Sequence, residues 1–170
     1  MKTTLAIALM AAALALSGCG KKAPKDLPVA PVGTSAESDG SDGGAAVIVP
    51  GSQADFAAQM MGQDTVYFDT DRYNIDGQDQ AALATQASWL QRYPAKRITI
   101  EGHCDERGTR EYNLALGERR ANAAKNYLVS LGIDPARVTT VSYGKESPLA
   151  VGSDEESWAK NRRAVTVTVD

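Results

Sequence analysis

The order of hydrophobic and polar residues over 63–170 predicts strands interleaved with helices. Residues 65–68 are rich in β-forming side chains, and residues 97–104 alternate between apolar and polar. Residues 137–143 give a third strand, and 164–170 alternate strictly. This pattern predicts an α/β (α+β) layered domain in which helices cover one face of one sheet, although it does not fix the order of the strands.

Helical spacing predicts three helices between these strands. One begins at an Asp76 N-cap and must stop near Pro94, and a short one covers 155–160. The longest runs from residue 109 or 110 to 131 and ends at Gly132. Its small or apolar stripe predicts a core-facing side: Leu114, Gly117, Ala121, Ala124, Leu128 and Leu131.

The first residues have the layout of a secretory signal peptide, predicted to span 1–18. Lys2 precedes an apolar run that is about 12 residues long, whereas a membrane-spanning helix needs roughly 20. The run ends in Leu-Ser-Gly-Cys19, which resembles the lipobox of bacterial lipoproteins, in which the cysteine is acylated. In that resemblance Gly20, rather than Asp, implies the outer membrane. The alternative is an ordinary secretory signal that ends near a cysteine.

Composition divides the rest of the chain into a tether and a domain. Residues 19–62, beginning with Cys19, are rich in Gly, Ser, Asp, Ala and Pro, and this predicts a flexible, disordered tether. The folded domain is predicted to span 63–170. The net charge of −3 gives no basic excess, so nucleic acid is not expected as a partner. Both cysteines are expected to be unpaired.

Candidate chemistry lies where the second strand leads into the long helix. Asp105 follows the strand, and Arg120 lies at the margin of the buried stripe, so the two are expected near one edge. A structural ion pair is the alternative. Adjacent strand residues face opposite sides, so His103 and Cys104 do not predict a thiol nucleophile, and no enzyme activity is expected. No metal-ligand spacing or cofactor motif is present, so neither a metal nor a cofactor is expected.

These segments resemble the signature of OmpA-like peptidoglycan-binding domains over about residues 63–170. The matching stretches are Gly-His-Cys-Asp-Glu-Arg-Gly-Thr-Arg-Glu-Tyr-Asn at 102–113, Leu-Gly-Glu-Arg-Arg-Ala-Asn at 116–122, Val-Ser-Tyr-Gly-Lys-Glu-Ser-Pro at 141–148 and Asn-Arg-Arg at 161–163. The lipobox and the tether match the lipoprotein branch of that family, which belongs to the Tol-Pal system. The resemblance implies a mixed sheet with helices on one face.

The resemblance also implies a ligand, the diaminopimelate of the peptidoglycan stem peptide. Asp105 matches the acid that pairs with its ammonium group, and Arg120 matches the arginine that pairs with its carboxylate. The free N–H groups that begin the long helix near Thr109 are expected to assist. Leu116 and Asp71 match other pocket positions.

The sequence departs from the family at two places. Thr70 stands where the lipoproteins usually carry an aromatic residue, so Phe68 or Tyr73 is expected to supply the aromatic wall. Cys104 replaces the usual Thr or Ala, a change of similar size that is expected to be tolerated.

The function implied by the resemblance is attachment of the outer membrane to the cell wall, in envelope integrity and cell division, with TolB and possibly other Tol components as partners. The alternative is a periplasmic protein-interaction module that binds mainly a Tol partner.

Overall fold

The computed structural model describes residues 48–169, and these form four α-helices and four β-strands. The elements in chain order are α1 (Gln53–Met60), β1 (Thr65–Tyr67), α2 (Gly77–Arg92), β2 (Arg97–His103), α3 (Arg110–Ser130), β3 (Val138–Gly144), α4 (Glu155–Asn161) and β4 (Arg163–Val169). A 3₁₀ turn, Pro135–Arg137, precedes β3. Each strand and helix predicted from the sequence is therefore present within a few residues of its expected bounds.

The N-terminal part of the prediction needs one correction. The signal peptide 1–18, the lipidated Cys19 and the tether up to residue 47 lie outside the described residues. The predicted boundary at residue 63 is too late, because α1 precedes it and packs Phe56 and Met60 into the core. The side chain of Ser52 caps this helix by accepting a hydrogen bond from the Asp55 backbone N–H. The short helix was missed because it directly follows a segment of linker composition.

The sheet is mixed, with strand order β1-β4-β2-β3. The last strand of the chain is inserted between β1 and β2 and is antiparallel to both, whereas β2 and β3 are parallel and connected through α3. This parallel pair places the C-terminal end of β2 and the start of α3 at the same edge of the sheet. Loops at such an edge are common ligand-binding positions.

The core lies between the sheet and the helices. Its largest buried apolar side chains are Phe56, Met60, Leu83, Trp89, Leu90, Ile98, Ile100, Leu128 and Ile133. The capping box predicted at the start of α2 is present, with Asp76 accepting from the Asp79 N–H and Asp79 accepting from the Asp76 N–H. Within residues 48–169, no helix has the length and apolarity needed to cross a membrane.

Two glycines let α3 approach β2 closely. A Cβ atom added to Gly102 would lie 1.8 Å from the carbonyl oxygen of Gly117, so a side chain at this position has no room. The approach brings the α3 backbone against the sheet one turn before Arg120. The close packing of these two glycines therefore sets the position of the Arg120 side chain against the end of β2.

Candidate functional site

A pocket of about 330 Å³ lies where the C-terminal end of β2, the start of α3 and the loop after β1 meet. It is lined by Thr70, Asp71, Cys104, Asp105, Arg107, Gly108, Tyr112, Asn113, Leu116 and Arg120. Four of the residues predicted for the site, namely Asp71, Asp105, Leu116 and Arg120, are thus brought together. They come from three separate segments of the chain.

Asp105 is held by two guanidinium groups. Arg107 donates to it from its backbone N–H and side chain, with a closest distance of 2.7 Å to Oδ2, and Arg162 lies 3.5 Å from the same oxygen. Burial alone would raise the pKa of Asp105. The hydrogen bonds and charge of Arg107, together with Arg162, outweigh burial and lower the pKa below its ordinary value. The carboxylate is therefore ionised and fixed in position.

Arg120 is more buried than the sequence predicted. Instead of lying at the core margin, its side chain is fully enclosed, and it donates to the backbone carbonyls of Arg72, His103 and Asp69 at 2.9, 2.8 and 3.1 Å. Its Cζ also lies 5.1 Å from the centre of the Phe68 ring. A guanidinium carries five N–H donors, so two remain after these three bonds. Arg120 therefore fixes the 69–72 loop against the end of β2 at the bottom of the pocket, and its two remaining N–H groups are enclosed by the protein.

The rim of the pocket is formed by Asp71 and Tyr112. The Tyr112 hydroxyl donates to Asp71 Oδ1 at 3.2 Å. Asp71 has a φ of 56°, a left-handed conformation that is uncommon for residues other than glycine. Such a conformation persists only when its surroundings hold it, and here Arg120 binds the carbonyls of Asp69 and Arg72 on either side.

Tyr112 and not Phe68 or Tyr73 is the aromatic residue that lines the pocket. Phe68 is buried against Arg120, and Tyr73 faces a separate groove along α3. Neither Phe68 nor Tyr73 lines this pocket, so an aromatic wall formed by one of them stays a prediction. Spacing could have identified Tyr112, because it lies four residues before Leu116 and eight before Arg120, on one edge of the helix.

Thr109 has a capping role and does not line the pocket. Its hydroxyl accepts a hydrogen bond from the backbone N–H of Tyr112 at 3.2 Å. This N–H is one of the helix-start groups that were expected to be free for a ligand carboxylate. Gly108, with a φ of 85°, turns the chain into the helix. The start of α3 is thus a well-capped helix terminus at the pocket wall.

Arg107 and Arg162 were missed as site residues by sequence reasoning. The Arg107 guanidinium lies 4.1 Å from the centre of the Trp158 ring, while Arg162 also donates to the Phe68 carbonyl and to Glu155. Trp158 and Glu155 belong to α4, which the sequence places about fifty residues away. Only the Asp-Glu-Arg order around Asp105 hinted at Arg107.

His103 and Cys104 face opposite sides, as predicted. Cys104 is 2% exposed and its thiol donates to the Asn113 carbonyl, and burial raises its pKa to about 11. His103 stacks on Tyr143 with ring centres 5.4 Å apart. Neither arrangement forms a thiol–imidazole pair. In the part of the chain that the structure describes, no group of three His, Cys, Asp or Glu side chains has metal-binding geometry.

The pocket combines opposite charges over a short distance. Asp71 and Asp105 supply carboxylates, Arg107 and Arg120 supply guanidinium groups, and Leu116 supplies an apolar wall. Such a site is suited to a small zwitterionic group and has no activated nucleophile among its lining residues.

Comparison with known proteins agrees with this architecture. The OmpA family profile matches residues 67–162. The chain is 51% identical to the peptidoglycan-associated lipoprotein of Agrobacterium fabrum over 162 residues, which cover 95% of this chain and 86% of that protein. It is 48% identical to the peptidoglycan-associated lipoprotein of Brucella melitensis, covering 98% of this chain and 92% of that protein.

Solved structures show the same fold. The crystal structure of the peptidoglycan-associated lipoprotein from Burkholderia pseudomallei aligns with a TM-score of 0.60 and 50% identity, covering 62% of this chain and 89% of that one. The cell wall anchor of the T6SS from Pseudomonas aeruginosa aligns with a TM-score of 0.57 at 24% identity, covering 72% and 100%, and supports the fold alone. The chain therefore belongs to the OmpA family and, within it, to the peptidoglycan-associated lipoproteins.

Proposed function

We propose that the pocket binds peptidoglycan non-covalently through the diaminopimelate residue of the stem peptide. The observation that carries the proposal is the meeting of two carboxylates and two guanidinium groups in one small pocket. Diaminopimelate ends in an ammonium and a carboxylate on the same carbon, so it needs both charges within a few ångströms. The names of the relatives give independent support, because each is described as peptidoglycan-associated.

The ammonium group is assigned to Asp105 and Asp71, and the carboxylate to Arg120. Asp105 is already ionised and oriented by Arg107 and Arg162, so the ligand meets a preformed acceptor. Arg107 is partly exposed and is able to turn from Asp105 towards the ligand carboxylate. Leu116 packs against the methylene chain that carries the zwitterion.

At the level of the cell, the binding would tie the outer membrane to the wall as part of the Tol-Pal system. The acylated Cys19 would hold the chain in the outer membrane while the domain faces the periplasm. A Cys19→Ser chain should then be lost from the outer-membrane fraction. If it remains there as strongly as the unchanged chain, the anchor assignment is wrong.

A Tol component, TolB by resemblance, is a second candidate partner at the same end of the domain. Leu149 and Val151 lie in the loop after β3, and their side chains are 60% and 96% exposed. Lys145, in the same loop, donates to the carbonyls of Glu106 and Gly108 beside the pocket. An exposed apolar pair next to the pocket favours a protein contact here, and we expect TolB and peptidoglycan to compete.

The test is sedimentation of the full chain with purified diaminopimelate-type peptidoglycan. Asp105→Ala should weaken binding by at least about tenfold, or ~1.4 kcal/mol, because the ligand ammonium loses its partner. Arg120→Lys should also weaken binding, since lysine cannot reproduce the planar fork. Binding to a wall with lysine at the third peptide position should be weaker, because lysine lacks the terminal carboxylate.

A matched control is Asp134→Ala. Asp134 is exposed and caps the 3₁₀ turn before β3, so its loss removes one carboxylate without touching the pocket. Circular dichroism should show that every variant is folded. Folded Asp105→Ala protein that binds as tightly as the unchanged chain and Asp134→Ala would refute the site. Release of soluble muropeptides by the pure chain would refute the assignment as a binding protein without hydrolase activity.

A further inference from the structure

A second cavity lies along the exposed side of α3. It has a volume of about 620 Å³ and is lined by Tyr73, Ala115, Glu118, Arg119, Asn122, Ala123 and Asn126. Residues 115, 119, 122 and 126 are spaced three and four apart and therefore form one stripe on the helix surface. Tyr73 stands over this stripe from the loop after β1. We call this cavity the α3 groove.

The α3 groove continues the peptidoglycan pocket. The same stripe begins with Tyr112, which lines the pocket, and Ala115 of the groove is next in sequence to Leu116 of the pocket. Tyr73 follows Arg72, whose carbonyl accepts from Arg120 at the base of the pocket. One loop and one helix thus form walls of both cavities.

Most polar side chains of the groove make no hydrogen bond or ion pair among the described residues, in contrast to those of the pocket. Within residues 48–169, the side chains of Tyr73, Glu118, Arg119 and Asn126 make no hydrogen bond or ion pair, and the Asn122 amide donates only to the carbonyl of Glu118. Tyr73 exposes 48% of its surface. An exposed aromatic ring beside amide, carboxylate and guanidinium groups offers an apolar face together with donors and acceptors.

We propose that the α3 groove binds the glycan of the same muropeptide whose diaminopimelate occupies the pocket. This inference rests on the proposed function. A sugar ring presents apolar C–H faces and a rim of hydroxyl and acetamido groups, which match the Tyr73 ring and the Asn122 and Asn126 amides. Ala115 and Ala123 are small and leave room for a flat ring to approach the helix.

The dimensions of the ligand agree with this placement. L-Alanine and γ-linked D-glutamate separate diaminopimelate from the sugar, and an extended chain covers roughly 7–10 Å over two residues. A helix rises about 1.5 Å per residue, so Arg119 and Asn122 lie within roughly 3 Å of Arg120 along the α3 axis, and the pocket and the groove are separated around the helix. A helix with its side chains is about 10–12 Å across, so a spacer of this length leads around α3 from the pocket to the groove, with the D-glutamate carboxylate near Arg119 and the sugar near Tyr73 and Asn122.

The experiment compares two soluble ligands by isothermal titration calorimetry with the full chain. One is the tripeptide L-alanyl-γ-D-glutamyl-meso-diaminopimelate, and the other is the same tripeptide carrying its N-acetylglucosamine–N-acetylmuramic acid disaccharide. The unchanged chain should bind the disaccharide form at least about fivefold more tightly. Tyr73→Ala and Asn122→Ala should reduce this ratio towards one and leave tripeptide affinity unchanged.

Two further variants give the controls. Arg119→Ala should weaken both ligands equally, because both contain the D-glutamate carboxylate. Tyr67→Ala is the matched aromatic control: Tyr67 is 49% exposed, close to the value for Tyr73, but lies on β1 outside the groove and should leave the ratio unchanged.

The outcomes separate this inference from the proposed function. Equal affinity of the unchanged chain for the two ligands would overturn the glycan assignment while leaving diaminopimelate binding in place. If Tyr73→Ala lowered the affinity for both ligands by the same factor, the glycan assignment would also be overturned. Failure of either ligand to bind the unchanged chain would overturn the proposed function and the groove assignment together.

Discussion

Arg120 and His103 are two buried basic residues whose side chains have opposite environments, although the Arg120 guanidinium donates to the His103 backbone carbonyl. Arg120 is fully buried and uses all three of its nitrogens to hold backbone carbonyls, one of them the carbonyl of His103. His103 is 3% exposed, and neither of its ring nitrogens makes a hydrogen bond of ordinary geometry within residues 48–169. The Glu101 carboxylate is the closest acid, 3.8 Å away.

The difference shows what allows a cation to be buried. Burial lowers the pKa of both groups, but arginine begins so high that it stays charged, and three carbonyl dipoles compensate for the lost water. For His103, burial first and then the charge of Arg163 lower the pKa to about 4, against a weak opposing contribution from the Ser147 backbone. The imidazole is therefore neutral at physiological pH and packs on Tyr143 as an aromatic side chain.

Removing Arg120 should have the largest effect on stability. Arg120→Met leaves three backbone carbonyls without donors in a buried place, so the free energy of unfolding should fall by about 3–5 kcal/mol. Urea unfolding measures the change. Arg137 is a matched control, because it also donates to three backbone carbonyls, those of Lys96, Leu90 and Tyr93, far from the pocket.

Arg137 is only half-buried, so water can replace it, and Arg137→Met should cost about 1–2 kcal/mol. Folded Arg137→Met protein should bind peptidoglycan as the unchanged chain does, whereas folded Arg120→Met protein should bind it more weakly. If Arg120→Met and Arg137→Met lower the free energy of unfolding equally, the depth at which the three carbonyls are buried does not determine the loss of stability.

The next largest effect concerns the pH dependence of stability. His103 stays neutral in the fold while the unfolded histidine takes up a proton below its ordinary pKa of 6.5. The unfolded state therefore binds more protons between that value and about 4, and stability falls as the pH drops through this window. The full loss is roughly 3 kcal/mol, which follows from the difference between the ordinary pKa of 6.5 and the folded-state pKa of about 4.

His103→Phe should keep the stacking on Tyr143 and remove this loss, as measured by urea unfolding at pH 7 and pH 4.5. His103 is the only histidine of the chain, so no second imidazole obscures the comparison. Burial raises the pKa of Asp79, so this residue makes stability rise as the pH falls. Asp79 is present in the unchanged chain and in His103→Phe, so its contribution cancels in the comparison. Identical pH profiles for the two proteins would contradict the assignment.

The two arginines on Asp105 allow a smaller comparison of the same kind. Arg162 is buried and also holds the Phe68 carbonyl, whereas the Arg107 side chain is 39% exposed. Arg162→Met should therefore destabilise the fold by about 2–3 kcal/mol, and Arg107→Met by less than about 1 kcal/mol. Thermal unfolding of both variants measures the two losses. A larger loss in Arg107→Met than in Arg162→Met would contradict burial as the controlling factor.

Cys104 should show the smallest effect. Cys104→Thr preserves the size of the side chain and a donor for the Asn113 carbonyl, so stability should change by less than about 1 kcal/mol. In a Cys19→Ser background, a polar disulfide reagent should label native Cys104 far more slowly than the unfolded chain, because burial raises the thiol pKa to about 11. Rapid labelling of the native protein would contradict this.

The sequence by itself determined the strands and every helix except α1, together with the core-facing sides of α3 and β2. Periodicity and caps predicted α2, α3 and the four strands because these signals are local: Asp76, Pro94 and Gly132 mark helix ends through backbone chemistry alone. The alternation that placed His103 and Cys104 on opposite sides is likewise a property of any extended chain. Position along the strand and the helix indicated Asp105 and Arg120, and the motif resemblance added the family, the ligand and the pocket positions Asp71 and Leu116.

Tertiary structure alone decided the strand order, the depth of Arg120 and the partners of Asp105. The insertion of β4 between β1 and β2 brings Arg162 to Asp105 across fifty-seven positions of the chain. The folding of the 69–72 loop over α3 converts an arginine at the helix margin into a buried donor to three carbonyls. These contacts depend on where distant segments meet, and spacing within one helix or strand does not give the distance between two segments that are far apart in the sequence.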